Sequence, residues 1–327
     1  MTQIWDVIMV GAGPAGLSCA IEAGRPGLKA LVLEKGCLTN SIFHYPVNMA
    51  FFTSRELLEI GDIPFACANL KPTRLEALEY YRRVTECYRL NIHFQECVTA
   101  VSGADGNFRI EAQRASGSQQ QYRARKVVLA TGYYDLPNRL GVPGEDLPKV
   151  SHYYTEAHPY FRSQVAVIGG ANSAAEAALD LYRHGAVVTL IHRGKELSQN
   201  IKYWVRPDLD NRLKEGSIRA LFETEVKEIL ADSILVETAQ GESLRLENDF
   251  VFALTGYHPD FDFLRRAGVA LNPKNHRPCC DLETRQTNVP GLYLAGVIVA
   301  GLQTNEIFIE NGRFHGRQII ADIKRKL

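Results

Sequence analysis

A glycine-bearing segment of about thirty residues occurs twice in this chain, and no other feature narrows the possible folds so far. The first copy, residues 6–36, reads DVIMVGAGPAGLSCAIEAGRPGLKALVLEKG; the second, residues 164–194, reads QVAVIGGANSAAEAALDLYRHGAVVTLIHRG. A shift of 158 positions brings Gly11 onto Gly169, Gly13 onto Ala171, Gly16 onto Ala174, Gly27 onto Gly185 and Glu34 onto His192 without a gap. In the first copy the apolar run Ile4–Val10 ends at a glycine turn, Ala15–Ala23 place small and apolar residues at helical spacing, and Leu28–Leu33 form a second apolar run. Strand, turn, helix and strand make a βαβ unit whose two strands are buried on both faces and parallel.

A second duplication interleaves with the first. Lys126–Asn138, KVVLATGYYDLPN, matches Asp249–Phe261, DFVFALTGYHPDF, in strand, Thr-Gly, aromatic and proline. Proline shortly beyond the Gly-Tyr stops each strand, so both segments read as crossing points between domains. The expectation is an α/β protein with two Rossmann-like, three-layer dinucleotide-binding domains, one inserted in the other: residues 1–136 and 258–327 form the first, and residues 137–257 the second. In the tail, Gly291–Ala295 read as a short strand broken at Gly296, followed by a helix from near Asn305 to the end. Gly117–Gln121 read as a polar hairpin tip, a loop without chemistry.

Composition removes other classes. Lys plus Arg and Asp plus Glu both number 37, so there is no basic field to draw nucleic acid or an anionic membrane. The N-terminus lacks the basic and cleavage features of a leader, and no run of about 18 apolar residues is present, which gives the expectation of a cytoplasmic protein. The seven cysteines are Cys19, Cys37, Cys67, Cys87, Cys97, Cys279 and Cys280, and none are spaced C-x-x-C. That removes a dithiol redox pair and the commonest zinc half-site, and no metal is expected.

The two loops differ in charge. In G-x-G-x-x-G the first glycine permits the tight turn, the second lets the backbone approach a pyrophosphate, and the third lets helix pack on strand. Gly11, Gly13 and Gly16, with Pro14 and Ala15 between them, fit that use, and Glu34 at the end of the second strand is placed to accept a ribose diol and to repel a 2′-phosphate. The first site therefore suits FAD or NAD. The second loop, Gly169, Gly170, Ala171, Asn172, Ser173 and Ala174, is followed by His192, Arg193 and Lys195, groups suited to a phosphate dianion. The second site therefore suits NADPH. Together they imply a flavin reduced by a nicotinamide, the protein supplying geometry and electrostatics, with the tail helix near Asn305 presenting its positive end to the flavin.

The motifs GAGPAG, EKG, ATGYYDLP, VIGGANSAAE, HRGK and ALTGYHPD, spread over essentially the whole chain, resemble the low-molecular-weight thioredoxin reductase class of flavoproteins. Within it, KGCLTNSIFHYPVNMAFFTSRELLEIGDIPF and AGVIVAG…IFIENGRFHG resemble the YpdA-type, bacillithiol disulfide reductase-like branch. The resemblance implies FAD, NADPH, a homodimer, and reduction of a low-molecular-weight thiol disulfide in the cytoplasm. It places Lys35, Asn40, His44, Val98, Thr131, Gly132, Gly296, Val297 and Asn305 at the FAD site, with His44 as hydrogen-bond partner or proton donor. Two departures matter. HYYTEAHPYF, residues 152–161, stands where thioredoxin reductases carry their cysteine pair, and Ala15 stands where the branch carries a glycine-loop cysteine. A ferredoxin or flavodoxin NADP reductase is the alternative activity, and a non-enzymatic NADPH-binding sensor the third reading.

Overall fold

The structure is a computed structural model describing residues 3–327. Its order is β1 (Ile4–Val10), α1 (Pro14–Gly24), β2 (Ala30–Leu33), α2 (Asn40–Phe43), α3 (Arg74–Cys87), β3 (Ile92–His93), β4 (Glu96–Ala104), β5 (Asn107–Arg114), β6 (Gln119–Leu129) and β7 (Leu136–Pro137). There follow β8 (Val150–Ser151), β9 (Gln164–Ile168), α4 (Asn172–Arg183), β10 (Val187–Ile191), α5 (Arg206–Lys214), β11 (Arg219–Leu221), β12 (Thr224–Ile229), β13 (Ser233–Thr238), β14 (Ser243–Glu247) and β15 (Phe250–Ala253). The chain closes with β16 (Tyr257–His258), α6 (Phe261–Arg266), β17 (Leu292–Leu294), α7 (Ile309–Gly312) and α8 (His315–Lys326).

The chain divides into two compact units, with crossings at Leu136/Pro137 and Tyr257/His258. Tyr45–Asn48 group with the second unit, where the sequence reading assigned them to the first. The Val47 amide donates to the Thr155 carbonyl at 2.9 Å, a pairing that no local pattern announces.

In the first unit one sheet runs β3-β2-β1-β6-β5-β4, with β17 also on β6. β1 pairs in parallel with β2 (Val7 opposite Ala30, Val10 opposite Leu33) and with β6. β6 belongs to two systems: Gln119–Ala124 pair antiparallel with β5, while Val127–Leu129 pair in parallel with β17. Its sequence shows why. QQQYRARKVVL alternates in burial and then becomes continuously apolar where both faces are covered. Gln119–Gln121 therefore belong to a strand; the expected loop shrinks to the turn before it, where Gly117 has φ +87° and the Arg114 amide meets the Ser118 carbonyl.

The second unit is a parallel sheet, β11-β10-β9-β15-β8, beside an antiparallel meander, β12-β13-β14. β9 shows the period of two: Val165 and Val167 join the core containing Ala174, Ala175, Ala177 and Ala178 of α4, whereas Ala166 and Ile168 join the core containing Ile229, Ile234 and Val236 of the meander. Each large aliphatic side chain so buried contributes about 1.5–3 kcal/mol.

The tail departs from expectation. No helix begins near Asn305, which lies in an exposed turn; α7 is one turn long and α8 begins only at His315. One local and one tertiary contact accompany the break. The Asn311 side chain accepts the Phe308 amide at 2.8 Å, and the Ser18 hydroxyl of α1 donates to the Arg313 carbonyl at 2.6 Å. The expected contribution of a long helix dipole at Asn305 is withdrawn, since the macrodipole needs aligned turns that α7 does not have.

Candidate nucleotide-binding sites

The three glycines of the first loop prove to have separate physical reasons. Gly11 has φ +108°, and a Cβ there would lie 2.5 Å from the Ala130 carbonyl oxygen. A Cβ on Gly16 would lie 2.0 Å from the Gly11 carbonyl oxygen, so that glycine lets α1 close onto the turn. Gly13 has nothing within 4 Å and an ordinary extended conformation (φ −74°), so its missing side chain opens space without relieving any internal contact. It is also the N-cap of α1 and offers no side-chain cap to the first-turn amides. An open backbone edge at a helix N-terminus fits a pyrophosphate.

Glu34, 5% exposed, follows β2 directly. Its Oε2 accepts the Ala12 amide at 2.7 Å and its Oε1 the Gly36 amide at 2.8 Å. Burial pushes its pKa up, opposed by those two donors. Each oxygen keeps a further acceptor site, which a ribose diol can use. The loop closes on itself beyond: the Thr39 amide donates to the Ala12 carbonyl at 3.1 Å, Asn40 Oδ1 accepts the Cys37 amide at 3.3 Å, and Arg74 Nε caps α2 through the Ile42 and Phe43 carbonyls at 3.2 and 3.1 Å. Thr39 and Arg74 went unnoticed in the sequence because their partners are remote. Lys35 is committed to Asp135 at 2.8 Å. His44 is exposed at the C-terminal end of α2 with its ring edge on Phe43. Val98 flanks a bulge in β4, Gly132 turns at φ +73° after β6, and Gly296 turns at φ +80° after β17 with a Cβ position 3.0 Å from the Ala15 methyl.

The second loop repeats the first with one exchange. A Cβ on Gly169 (φ +149°) would lie 2.5 Å from the Leu254 carbonyl oxygen, as Gly11 meets Ala130. Ala130 and Leu254 occupy matching places in the second sequence duplication, so the two repeats are one device: each glycine turn rests on the strand end of its own Thr-Gly motif. Glu34 reaches back to Ala12; His192 reaches back to the matching residue, Gly170, where a Cβ would lie 2.3–2.6 Å from three ring atoms. The missing side chain at Gly170 leaves room for the His192 ring in this position. Burial lowers the His192 pKa, opposed by a backbone hydrogen bond at Glu196 and reinforced by the Arg193 charge. Arg193 is exposed and forms no ion pair among the described residues; the Lys195 ammonium lies 3.9 Å from the Glu223 carboxylate. The Asn172 side chain fastens a strap, donating to the Asn200 carbonyl at 3.0 Å and accepting the Lys202 amide at 2.9 Å, while the Ser198 amide donates to Gly170 at 2.8 Å. Ala171 is the N-cap of α4, and Ala174 is buried beneath the turn.

All seven cysteines are free. Burial and then Glu22 push the Cys19 thiol up to about 12, and burial with Glu34 raises Cys37, so neither is a ready thiolate. Among the described residues no group of His, Cys, Asp or Glu could hold a metal ion, and no helix is long and apolar enough to cross a membrane.

Two dinucleotide loops on two α/β units define the class. Residues 8–296 match the family model of the pyridine nucleotide-disulphide oxidoreductases, and the chain belongs to that family. It is an oxidoreductase with FAD and NADPH as cofactors. Among its relatives, the bacilliredoxin reductase Bdr of Bacillus subtilis is 47% identical over 98% of this chain and 97% of its own. The solved structure of the bacillithiol disulfide reductase Bdr (YpdA) from Bacillus cereus is 45% identical, covers 99% of this chain and 100% of that one, and has a TM-score of 0.97. A ferredoxin–NADP reductase of Ignicoccus hospitalis is 27% identical over 90% of each chain.

Proposed function

We propose that this chain passes reducing equivalents from NADPH through FAD to a low-molecular-weight thiol disulfide of the bacillithiol type, as a cytoplasmic homodimer. The observation that supports this most directly is the match to the two Bdr proteins over nearly the whole chain, at identities well above that of the ferredoxin–NADP reductase. FAD lies along Gly11, Gly13, Pro14, Ala15 and Gly16, with its ribose diol on Glu34. Asn40, His44, Val98, Thr131, Gly132, Gly296 and Val297 line the remainder. NADPH lies along Gly169–Ala174 with its 2′-phosphate toward Arg193 and Lys195. FAD, when bound, supplies the acceptor for a hydride and the store for two electrons.

The protein's own contribution is selection and orientation. The carboxylate of Glu34 rejects a 2′-phosphate in the first cradle, and the exposed cations attract it in the second. His44 is the polar side chain offered for a proton at the flavin loop. With Ala15 in the glycine loop and no cysteine pair in residues 152–161, the acceptor disulfide is reduced without a dithiol relay of this chain.

The relatives' names point to two acceptors, a small disulfide and a small redox protein. Rapid mixing of the holoenzyme with NADPH is expected to bleach the oxidised-flavin band on the turnover timescale, and multiple turnover is then expected with bacillithiol disulfide. An unbleached flavin sinks the enzymatic reading. Turnover with bacilliredoxin, ferredoxin or flavodoxin but not with bacillithiol disulfide sinks the proposed acceptor.

A further inference from the structure

We infer that His315 is a positioning residue for the flavin site, its imidazole Nδ1 holding the Gly296 amide so that the Gly296–Val297 turn stays against the glycine loop. The inference rests on the reading above that this turn contacts FAD. His315 is the first residue of α8 and only 3% exposed. Its Nδ1 accepts the Gly296 N–H at 3.0 Å, a bond between two buried groups 19 residues apart. Since the amide can only donate, Nδ1 carries the lone pair and the ring is the neutral Nε2–H tautomer.

The contact closes a ring of close approaches within the first unit. Gly296, at φ +80°, has its Cβ position 3.0 Å from the Ala15 methyl of α1. Next to His315, Gly316 leaves no room for a side chain: a Cβ there would lie 2.6 Å from Ser18 Oγ and 2.7 Å from the Ser18 carbonyl carbon. Ser18, one turn after Ala15 on α1, also donates to the Arg313 carbonyl at 2.6 Å. Ala15, Gly296, His315, Gly316 and Ser18 thus lock the glycine loop, the post-β17 turn and the start of α8 to one another. The His315–Gly296 bond fixes the direction of the Gly296 amide, as the Val299 amide holds the Gly296 carbonyl. A packing side chain without an acceptor would keep the volume and lose the direction.

The test uses the purified holoenzyme and three variants, with FAD dissociation, the visible spectrum of the bound flavin and its reduction potential as readouts. His315→Leu removes the acceptor and is expected to weaken FAD by about tenfold, the scale of one hydrogen bond, and to shift the flavin band. His315→Asn places an amide oxygen where Nδ1 stands and is expected to restore both to near the wild-type values. His315→Gln, whose oxygen lies one bond farther out, is expected to behave as His315→Leu and replaces it should that variant be insoluble. Wild-type affinity, spectrum and potential in His315→Leu or His315→Gln overturn the inference, as does a His315→Asn variant no better than these two. A wild-type chain that takes up no flavin instead overturns the cofactor assignment beneath it.

Discussion

At the scale of single residues, glycines that look alike in the sequence carry different loads. Gly13→Ala meets no atom within 4 Å and no forbidden backbone angle, so it is expected to leave the thermal midpoint of the apo-protein unchanged. The added methyl occupies the open edge of the loop, and FAD affinity is expected to fall at least about tenfold, read from flavin release. Gly16→Ala drives a methyl to 2.0 Å from the Gly11 carbonyl oxygen and is expected to destabilise the unit by about 3 kcal/mol, read from chemical unfolding. Arg193→Ala is expected to weaken NADPH by about 1–3 kcal/mol, the loss of a charge-assisted bond, while NADH is unaffected. Equal losses for the two nucleotides in binding titrations would remove Arg193 from the phosphate site. The G-x-G-x-x-G spacing made the glycines legible. The pairing of Gly170 with His192 was not, because a ring over a backbone needs the coordinates of both strand ends.

Elements show the same division. α1 and α4 lie close to where the periodicity put them, since small residues beneath an apolar strand leave few alternatives. α3 is held at its start by reciprocal bonds: the Thr73 amide donates to Glu76 Oε2 at 2.8 Å and the Glu76 amide to Thr73 Oγ1 at 3.2 Å. Thr73→Ala is expected to cost about 1 kcal/mol, measurable as a shift of the unfolding midpoint. The expected C-terminal helix breaks where a local cap, Asn311 on the Phe308 amide, and a serine hydroxyl of α1 295 residues away both take up backbone groups. A local pattern carries no record of the second. The expected hairpin tip is shorter than its polar run, because Gln119–Gln121 already pair with β5.

For the molecule as a whole, the pH response is expected to carry the signature of His315. Burial, with the Arg285 charge, pushes its pKa from 6.5 down to about 4. Between those values the unfolded chain binds a proton that the folded chain does not, so stability falls as the pH falls through that window and this component is flat below it. The full loss is about 3 kcal/mol. His315→Asn lacks the group, so its stability relative to wild type is expected to rise as the pH is lowered from 7 to 4; a constant difference in unfolding midpoints would refute the assignment.

The sequence alone settled that this is a duplicated nucleotide-binding α/β chain, and that its two cradles differ in charge. Those properties are written in contiguous segments, where strand, turn and helix follow from period and glycine. Tertiary structure decided which glycines bear packing, that the His192 ring lies over Gly170, that Asn172 ties down a strap, and that Gly296 is held by His315. Each of these depends on one group meeting another across the fold, and the free energy of a buried amide or imidazole is fixed by its partner rather than by its neighbours in the chain.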